Sequence, residues 1–358
     1  MQNKEIELKF GFIDKKCNLH DIFSSIGEVT KEQVDHLENT YFDTDTKDLF
    51  AIKAGLRIRR ADKYSEQTLK IKGENIGGLH QRSEYNVDID KDATTPNLKL
   101  FPKEATESLE VEKIEPRLKS LCKINFTRKM FNLKTLDSVF EVAHDVGYIE
   151  FGQNEKYPIN EIELELKETQ VKDEDLLKLF SVLCTSLANA QLPLLLEPFS
   201  KMHRASLLQD HKNENLNLSS LESIGSLVTY LTGLVSSFEK TYGYFILSKD
   251  AIHLSLFNVV LKRLINGLKC IKKKHVFAFI DGKLNKDYDH QHDLKIILKL
   301  LKSFYKTTHE YEDKLLKACL KQNQNQIDNC ISEIREQEKS TKMFLIPLKL
   351  RVLLSLVA

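Results

Sequence analysis

Tryptophan is absent from the 358 residues, and proline and glycine are scarce, with 7 and 13 residues. With so few proline and glycine residues, we do not expect a disordered or fibrous chain. Because tryptophan is absent, no site can depend on indole stacking. The six cysteines never occur as C-x-x-C, which excludes a readable zinc knuckle or redox pair. Scattered thiols are typical of a reducing compartment, so we expect a cytoplasmic protein.

Long hydrophobic runs are also missing. Only residues 343–358 are strongly apolar, and Pro347, Lys349 and Arg351 interrupt them. This stretch is too short and too charged to span a bilayer, so we expect a buried terminal helix and no membrane partner. The opening residues, MQNKEIELKF, lack the apolar core that a signal peptide needs.

Neither sign of charge dominates, since 53 Lys and Arg face 52 Asp and Glu. This balance excludes a uniformly basic nucleic-acid binder, and we expect no sequence-specific nucleic-acid partner. The charge is unevenly distributed: residues 1–210 hold 30 basic and 37 acidic residues, and residues 211–358 hold 23 and 15. Two halves of opposite sign predict two units with different electrostatic tasks.

Apolar and polar residues alternate along most of the first 170 residues, as in E-I-E-L-K-F at 5–10 and E-I-E-L-E-L at 161–166. This period of two predicts strands, with helices expected at about 19–26 and 173–188. After a polar, Asn-rich stretch the pattern becomes helical. We expect one apolar stripe through Ile252, Leu256, Val259, Val260 and Leu264, a second through 294–301, and a third helix from about 311 to 338.

The polar faces of the predicted strands are ionic and sorted by sign. Arg57 and Arg59 lie two residues apart, and Glu161, Glu163 and Glu165 repeat the same spacing with carboxylates. Like charges so placed repel unless solvent or an opposite charge lies between them. Solvated outer faces would explain any one strand. The recurrence of ionic faces on several strands favours instead a sheet that curls so that these faces line an internal tunnel.

A tunnel of this composition has a definite chemistry. Lysine and arginine suit phosphate oxygens, whereas carboxylates beside an anion require a divalent cation, and oxygen ligands select Mg²⁺ or Mn²⁺. The residues therefore indicate metal-assisted hydrolysis of a polyanionic phosphate ester or anhydride. The candidate cations are Lys9, Arg57, Arg59, Lys70, Lys72, Arg82 and Arg128, and the candidate metal ligands are Glu5, Glu7, Glu84, Glu141, Asp145, Glu161 and Glu163.

The ordered segments resemble those of the CYTH, or triphosphate tunnel metalloenzyme, superfamily. The E-x-E-x-K strand at Glu5 is followed by N-T-Y-F-D-T from Asn39, G-L-R-I-R from Gly55, T-L-K from Thr68, Arg82 with Glu84, Arg128, the acidic region 141–145, E-I-E-L-E from Glu161 and S-K at Ser200. The run G-G-L-H-Q-R at 77–82 is similar to bacterial inorganic triphosphatases that carry a CYTH domain before a helical CHAD domain.

The resemblance implies an α+β chain whose first domain is an eight-stranded antiparallel barrel with flanking helices. The barrel would be open at both ends and hold tripolyphosphate or another small polyphosphate. Glu5, Glu7, Lys9 and Arg59 would form the catalytic centre, and Lys201 would join the phosphate-binding cations. Glu165 ranks lower as a rim residue. Lys4, Arg60, Lys129 and Lys167 are interpreted as solvated.

The resemblance also divides the chain into a CYTH domain at 1–208, a linker at 209–220 and a CHAD-like, all-α helical bundle at 221–358. The helical part is shorter than a full pair of bundle repeats, which suggests a degenerate or truncated form. Its run Lys272-Lys273-Lys274-His275 is a candidate patch for long-chain polyphosphate, although a lysine run is more often a solvated helix end.

Two other hypotheses stay open. Enzymes of the same fold act on thiamine triphosphate, on RNA 5′-triphosphate ends or, as cyclases, on ATP, and such substrates need an aromatic or hydrogen-bonding pocket at a tunnel mouth. A non-catalytic polyphosphate-binding scaffold would need the cations alone. The complete set of carboxylates favours the inorganic triphosphatase.

Overall fold

The computed structural model describes residues 4–13, 17–76, 79–153, 155–210, 224–273 and 290–355, with a few side chains inside these ranges, including that of Lys72, left out. The chain forms two compact units. The first lies within residues 1–75, 79–171 and 199–212. The second lies within 172–198 and 213–358, together with the short stretch 76–78.

The first unit is a closed antiparallel barrel of eight strands, which confirms the predicted fold class. The strands follow the order β1-β6-β5-β4-β3-β7-β8-β9, and β9 pairs with β1 to close the barrel. The short β2, Glu28–Val29, pairs only with β7. The eight barrel strands are β1 (Lys4–Phe12), β3 (Gln33–Asp43), β4 (Gly55–Arg60), β5 (Ser65–Ile76), β6 (Leu79–Asp88), β7 (Lys119–Thr135), β8 (Ser138–Phe151) and β9 (Glu155–Thr169).

Alternation along each strand separates two environments, because successive side chains of a strand point to opposite faces. On β4 the apolar Leu56 and Ile58 are buried outside the barrel, in one core with Leu69 and Ile71 of β5. Residues 98–114, which include the short helices α3 (Lys103–Thr106) and α4 (Val111–Ile114), supply the other side of this core together with α2 (Asp48–Ala51). The charged residues of the same strands therefore face inward.

One end of the barrel is filled. Helix α6, Lys201–Asp210, places Ala205 in a buried apolar cluster with Leu37, Ile124, Phe126, Ile149 and Ile159, residues that share the inward parity of their strands. Gln209 donates a hydrogen bond from Nε2 to the Leu121 carbonyl at 2.6 Å. The expectation of a tunnel open at both ends is therefore wrong, because at this end apolar side chains replace the ionic ones.

The second unit is helical, as predicted. Its elements are α5 (Leu176–Asn189), β10 (Leu194–Leu196), α7 (Ile224–Ser248), α8 (Ala251–Lys273), α9 (His290–Leu320), α10 (Gln324–Ser340) and α11 (Ile346–Ser355). The remaining short helix, α1 (Leu19–Ser24), belongs to the first unit. The predicted buried terminal helix corresponds to α11. Among the described helices, none is long and apolar enough to cross a membrane.

A buried carboxyl group links three elements of the second unit. Glu338 on α10 is fully buried, accepts a hydrogen bond from the Leu196 backbone N–H at 2.6 Å, and accepts another from the Tyr242 hydroxyl. Burial raises the pKa of Glu338, although Arg335 opposes the rise. This one side chain joins α10, β10 and α7, and its hydrogen bonds add to the apolar burial of the three leucines of β10.

Two helical predictions are wrong in detail. The stripe proposed for α8 is only partly its buried face. Val260 and Leu264 are buried, but Ile252 is 69% exposed and Leu256 and Val259 are also exposed, and Leu254, Phe257 and Leu261 are buried in their place. The helix expected at 311–338 is two helices. Gln322 adopts the left-handed conformation with φ of 50°, and Asn323 caps α10 by accepting a hydrogen bond from the Gln326 backbone N–H.

The compact units differ from the predicted division of the chain. Residues 172–198 group with the helical unit although they precede the residues of α6 in sequence. Helix α6 runs through Asp210 and so crosses the predicted boundary at 208. Residues 211–220 of the predicted linker lie outside the described residues.

Gly147 on β8 marks a close approach between two strands. A Cβ at this position would lie 2.1 Å from the Asn125 carbonyl oxygen and 2.5 Å from Phe126 Cα, both backbone atoms that cannot move aside cheaply. We predict that Gly147→Ala lowers the free energy of unfolding by about 1–3 kcal/mol or more, measured by urea denaturation. Gly55→Ala is the matched control, because its Cβ would meet only the flexible Met202 side chain at 3.3 Å. Equal stability of the two variants would contradict the prediction.

Candidate active site

The barrel encloses a cavity of about 370 Å³ between the filled end and the opposite mouth. Nine of its described lining residues are lysine or arginine and seven are glutamate, so the lining carries an excess of two positive charges. The cations are Lys9, Lys53, Arg57, Arg59, Lys70, Arg82, Arg128, Lys167 and Lys201, and the glutamates are Glu5, Glu7, Glu66, Glu84, Glu141, Glu163 and Glu165. Every strand of the barrel contributes to the lining.

Strand β1 places Glu5, Glu7 and Lys9 in a row along the cavity, because they alternate with the outward residues Ile6 and Leu8. The strand register sets their neighbours. Glu5 lies opposite Arg82 of β6, while Glu7 lies opposite Glu165 and Lys9 opposite Glu163 of β9. The E-x-E-x-K segment is thus flanked by cations on one side and by carboxylates on the other.

Glu5 and Glu7 form a buried pair of carboxyl groups whose pKa values are raised despite nearby cations. The pKa of Glu5 is raised to about 7, mainly by burial, which Lys70 opposes and to which Glu7 and Glu84 add. Burial also raises the pKa of Glu7, with Glu163 adding to the effect. Lys70 donates to Glu5 Oε1 at 2.6 Å, but Glu5 Oε2 is buried without a hydrogen bond.

The arginines of β4 are oriented by neutral side chains. Arg57 donates from Nε to Thr68 Oγ1 at 3.2 Å and from Nη1 to Tyr41 Oη at 3.4 Å. Arg59 donates from Nε to Asn39 Oδ1 at 2.9 Å. Their nearest recorded carboxylates, Glu84 and Glu66, are each 3.7 Å away. Because neutral partners hold the base of each guanidinium, its outer nitrogens remain directed at the cavity.

A second ionic cluster lies toward the filled end. Arg128 makes a bidentate pair with Asp145, with both N–O distances at 2.7 Å, and reaches Glu163 at 2.6 Å. Lys201 lies 2.8 Å from both Asp145 and Glu163 and also pairs with Glu161. Burial would raise the pKa of Glu163, but Lys201 and Arg128 outweigh it and hold that pKa well below its usual value.

The acidic members of this cluster are close enough to share a cation. One carboxylate oxygen from each of Asp145, Glu161 and Glu163 lies within 4.8 Å of the others. However, Arg128, Lys201 and Arg204 already neutralise the three groups, and Arg204 pairs directly with Glu161. Glu5 and Glu7 pair with Lys70 and Arg82, but burial outweighs these cations and raises the pKa of both carboxyl groups. This pair is therefore less fully neutralised than the other cluster, and the charge balance favours it as the cation site.

Most predicted site residues line the cavity. Asp145 and Glu161 lie behind the lining, where they are 0% and 1% exposed and hold Arg128, Lys201 and Arg204. The side chain of Lys72 falls outside those that the structure describes. The predicted residues that line the cavity are Glu5, Glu7, Lys9, Arg57, Arg59, Lys70, Arg82, Glu84, Arg128, Glu141, Glu163 and Lys201.

Some lining residues were not among the predicted site residues. Lys167, interpreted as solvated, has a side chain that is 39% exposed and pairs with Glu165 at 2.7 Å, and it also borders the cavity. Arg60 points outward, as predicted, and donates to the Lys91 and Ala93 carbonyls. Tyr41 and Thr68, which line the cavity, and Asn39, which orients Arg59, were assigned no site role, because neutral residues give no charge signal on an ionic face.

The position of the Arg82 side chain depends on a glycine in the neighbouring strand. Gly73 of β5 leaves room for the Arg82 side chain, since a Cβ there would lie 2.6 Å from Arg82 Cγ. In this position Arg82 donates to Glu7 Oε1 at 2.9 Å and lies 3.5 Å from Glu5 Oε2. A single guanidinium therefore bridges the Glu5 and Glu7 carboxyl groups.

The raised pKa of Glu5 predicts a pH-dependent effect of one substitution. Between its ordinary pKa of 4.5 and about 7, the folded protein holds a proton that the unfolded chain releases, so this group makes stability fall as pH rises. Over this pH range the free energy of unfolding falls by about 3 kcal/mol because of this group. Glu5→Gln carries no such titration. It should match the native chain at pH 4 and be more stable than it at pH 8, measured by urea unfolding at both values. A stability difference that does not change with pH would contradict the raised pKa.

Comparison with known proteins agrees with this geometry. The family model of the CYTH domain matches residues 3–193. An inorganic triphosphatase from Haemophilus influenzae is 37% identical over 137 residues, which cover 38% of this chain and 38% of that protein. The chain thus aligns with well under half the length of this curated relative.

Solved structures show a more distant likeness. HpAC1 from Hippeastrum, described as an adenylyl cyclase candidate with a dominant triphosphatase activity, aligns with a TM-score of 0.40 and 18% identity over 57% of this chain and 96% of its own. The PH1819 protein from Pyrococcus horikoshii aligns with a TM-score of 0.35 and 20% identity over 56% of this chain and 96% of its own. At these scores the alignments carry no argument about activity.

Proposed function

The chain belongs to the CYTH family, and on this premise we propose that it is a metal-dependent inorganic triphosphatase, which hydrolyses tripolyphosphate to pyrophosphate and phosphate inside the barrel. One observation carries the proposal. A single cavity holds a large set of cations together with two buried carboxyl groups, Glu5 and Glu7, whose pKa values stay raised despite their ion pairs. An anion alone would suit the cations and leave those carboxyl groups worse placed.

The donor set fits a hard divalent cation. Glu5 and Glu7 offer only oxygen atoms, Glu5 Oε2 makes no hydrogen bond, and burial raises the pKa of both groups beyond what their cations offset. We propose that Glu5 and Glu7 hold Mg²⁺ or Mn²⁺, with Glu84, Glu141 and Glu163 as further direct or water-mediated ligands. When bound, the metal supplies charge neutralisation for the phosphates and activation of the attacking water.

The cations of the chain then perform the binding. Arg57 and Arg59, held by neutral partners, present planar donors to phosphate oxygens, while Lys9, Lys70, Arg82, Arg128 and Lys201 supply further positive charge, as Lys72 is expected to do. Lys70 and Arg82 must exchange Glu5 and Glu7 for phosphate oxygens. We assign Asp145 and Glu161 to holding Arg128 and Lys201 in place, since both carboxylates lie behind the lining.

The test is phosphate release from tripolyphosphate with Mg²⁺ or Mn²⁺, beside ATP, thiamine triphosphate and long-chain polyphosphate, with a chelator control. We expect fast, chelator-sensitive release from tripolyphosphate. Glu5→Gln should lower turnover at least about 100-fold while leaving tripolyphosphate binding largely intact, because the phosphate-binding cations remain. Glu168→Gln, an exposed residue of the same barrel, is the matched control and should have no effect.

The outcomes separate the hypotheses. Undiminished turnover by Glu5→Gln would reject the metal assignment. Faster release from ATP or thiamine triphosphate would place the chain among the same-fold enzymes that act on organic triphosphates. Tight polyphosphate binding without release from any substrate would favour the non-catalytic scaffold. The six cysteines are all free, which supports the proposal of a cytoplasmic protein.

A second binding function is favoured by a lysine row on α9. Lys295, Lys299, Lys302 and Lys306 are all exposed and recur every three or four residues, so they share one face of the helix. None of the four has an ion pair recorded in the described part of the chain. We propose this row as the contact for long-chain polyphosphate. Of the run first considered, Lys272 to His275, the last two residues lie outside the described residues.

The row can be tested separately from the cavity. A Lys299→Gln and Lys302→Gln double variant should weaken long-chain polyphosphate binding by about tenfold at low salt and reduce its salt dependence, since counterion release scales with the number of contacts. Turnover of tripolyphosphate should not change. Lys314→Gln is the control, because Lys314 already pairs with Glu310. Unaltered binding by the double variant would exclude this face.

A further inference from the structure

His80 is a buried histidine in the barrel interior that neither the metal site nor the phosphate-binding set includes. It lies on β6 directly opposite Glu7 of β1, and directly opposed residues of an antiparallel pair point to the same face. Arg82, two residues further along β6, lines the cavity, so alternation gives His80 the same inward parity. Only 6% of His80 is exposed.

The imidazole of His80 is neutral and incompletely bonded. Burial lowers its pKa well below the usual 6.5, and the charges of Lys9 and Arg82 lower it further, whereas Glu163 opposes them. Nε2 is buried and has no hydrogen-bond partner among the atoms that the structure describes. A buried polar atom without a partner destabilises a fold. An aromatic or aliphatic side chain would fill this position at lower cost if packing were the only requirement.

An ion pair lies beside His80. Arg82 reaches from β6 to Glu7, the residue opposite His80, with an N–O distance of 2.9 Å. A polyphosphate that bound Arg82 and Lys9 would compete with Glu7 for Arg82. It would then lie within the group of charges that act on the His80 ring, on the same inward face.

We propose that His80 is a substrate-binding residue that donates a hydrogen bond from Nε2–H to a phosphate oxygen. The inference rests on the proposed triphosphatase function and adds a neutral donor to its cationic set. A neutral donor suits this position, because Lys9, Arg82 and Lys70 already surround it and a further cation would be repelled. Neutral imidazole carries one N–H, and a hydrogen bond to an ionised oxygen is among the stronger kinds.

The experiment compares two substitutions in the full chain. Gln retains an N–H donor at about the position of Nε2, whereas Phe retains a ring without the donor. Tripolyphosphate binding is measured by calorimetry in the presence of a chelator, so that no turnover occurs, and thermal unfolding is measured in parallel. We expect His80→Phe to weaken binding about tenfold to a hundredfold, and His80→Gln to stay within about threefold of the native chain.

Stability separates this role from a structural one. If His80 serves the substrate, His80→Phe removes an unpaired buried atom, so its melting temperature should equal or exceed the native value while its affinity falls. Equal affinity of His80→Phe and the native chain would overturn the proposal and leave the proposed function standing. Equal loss of affinity in both variants, with lower melting temperatures, would make His80 structural. Failure of the native chain to bind tripolyphosphate would instead reject the proposed function and this inference with it.

Discussion

The need to neutralise charge inside a closed barrel governs the structure. An isolated ionised group transferred from water to a protein interior is very costly, so buried charges persist only when they are paired. Here the pairs form between strands: Lys70 with Glu5, Arg82 with Glu7, and Arg128 with Asp145. Each side chain thereby fixes another, and the cavity is ordered before any ligand enters. A ligand in this cavity must therefore replace existing partners.

The two ends of the network are not equivalent. Near the filled end, Asp145 and Glu163 have lowered pKa values because Arg128 and Lys201 outweigh the effect of burial. Around β1, Glu5 and Glu7 have raised pKa values because burial outweighs their cations. The first group is saturated and acts as a rigid support. The second is poorly compensated, and the exchange of partners is cheapest there.

Local pattern predicted the parts of this arrangement that depend on strand parity. Since side chains alternate strictly along a strand, the ionic faces of β1, β4 and β9 could be assigned to one interior before any contact was known. Lys167 shares the parity of Glu165, and its exposed side chain borders the cavity. The filled end was not predictable, because it depends on Ala205 meeting Leu37 and Ile124, which are distant in sequence.

The helical unit shows the limits of periodicity more clearly. Helix α8 carries apolar residues on two faces, and the sequence gives no means of deciding which face is buried. The structure buries Leu254, Phe257 and Leu261 and exposes Ile252. The break before α10 depends on a left-handed Gln322, a conformation that favours glycine or asparagine and that glutamine does not announce. The sequence signal for this break is the next residue, Asn323, which caps α10.

The apolar packing around Ala205 also determines the end of the barrel at which a ligand can enter and leave. Molecules enter and leave the cavity through the mouth opposite α6, since side chains fill the end at which the helix lies. A linear ligand therefore enters end first. With the proposed hydrolysis, the fragment nearer α6 would leave only after the outer fragment, so release would be sequential and the outer product would inhibit the exit of the inner one.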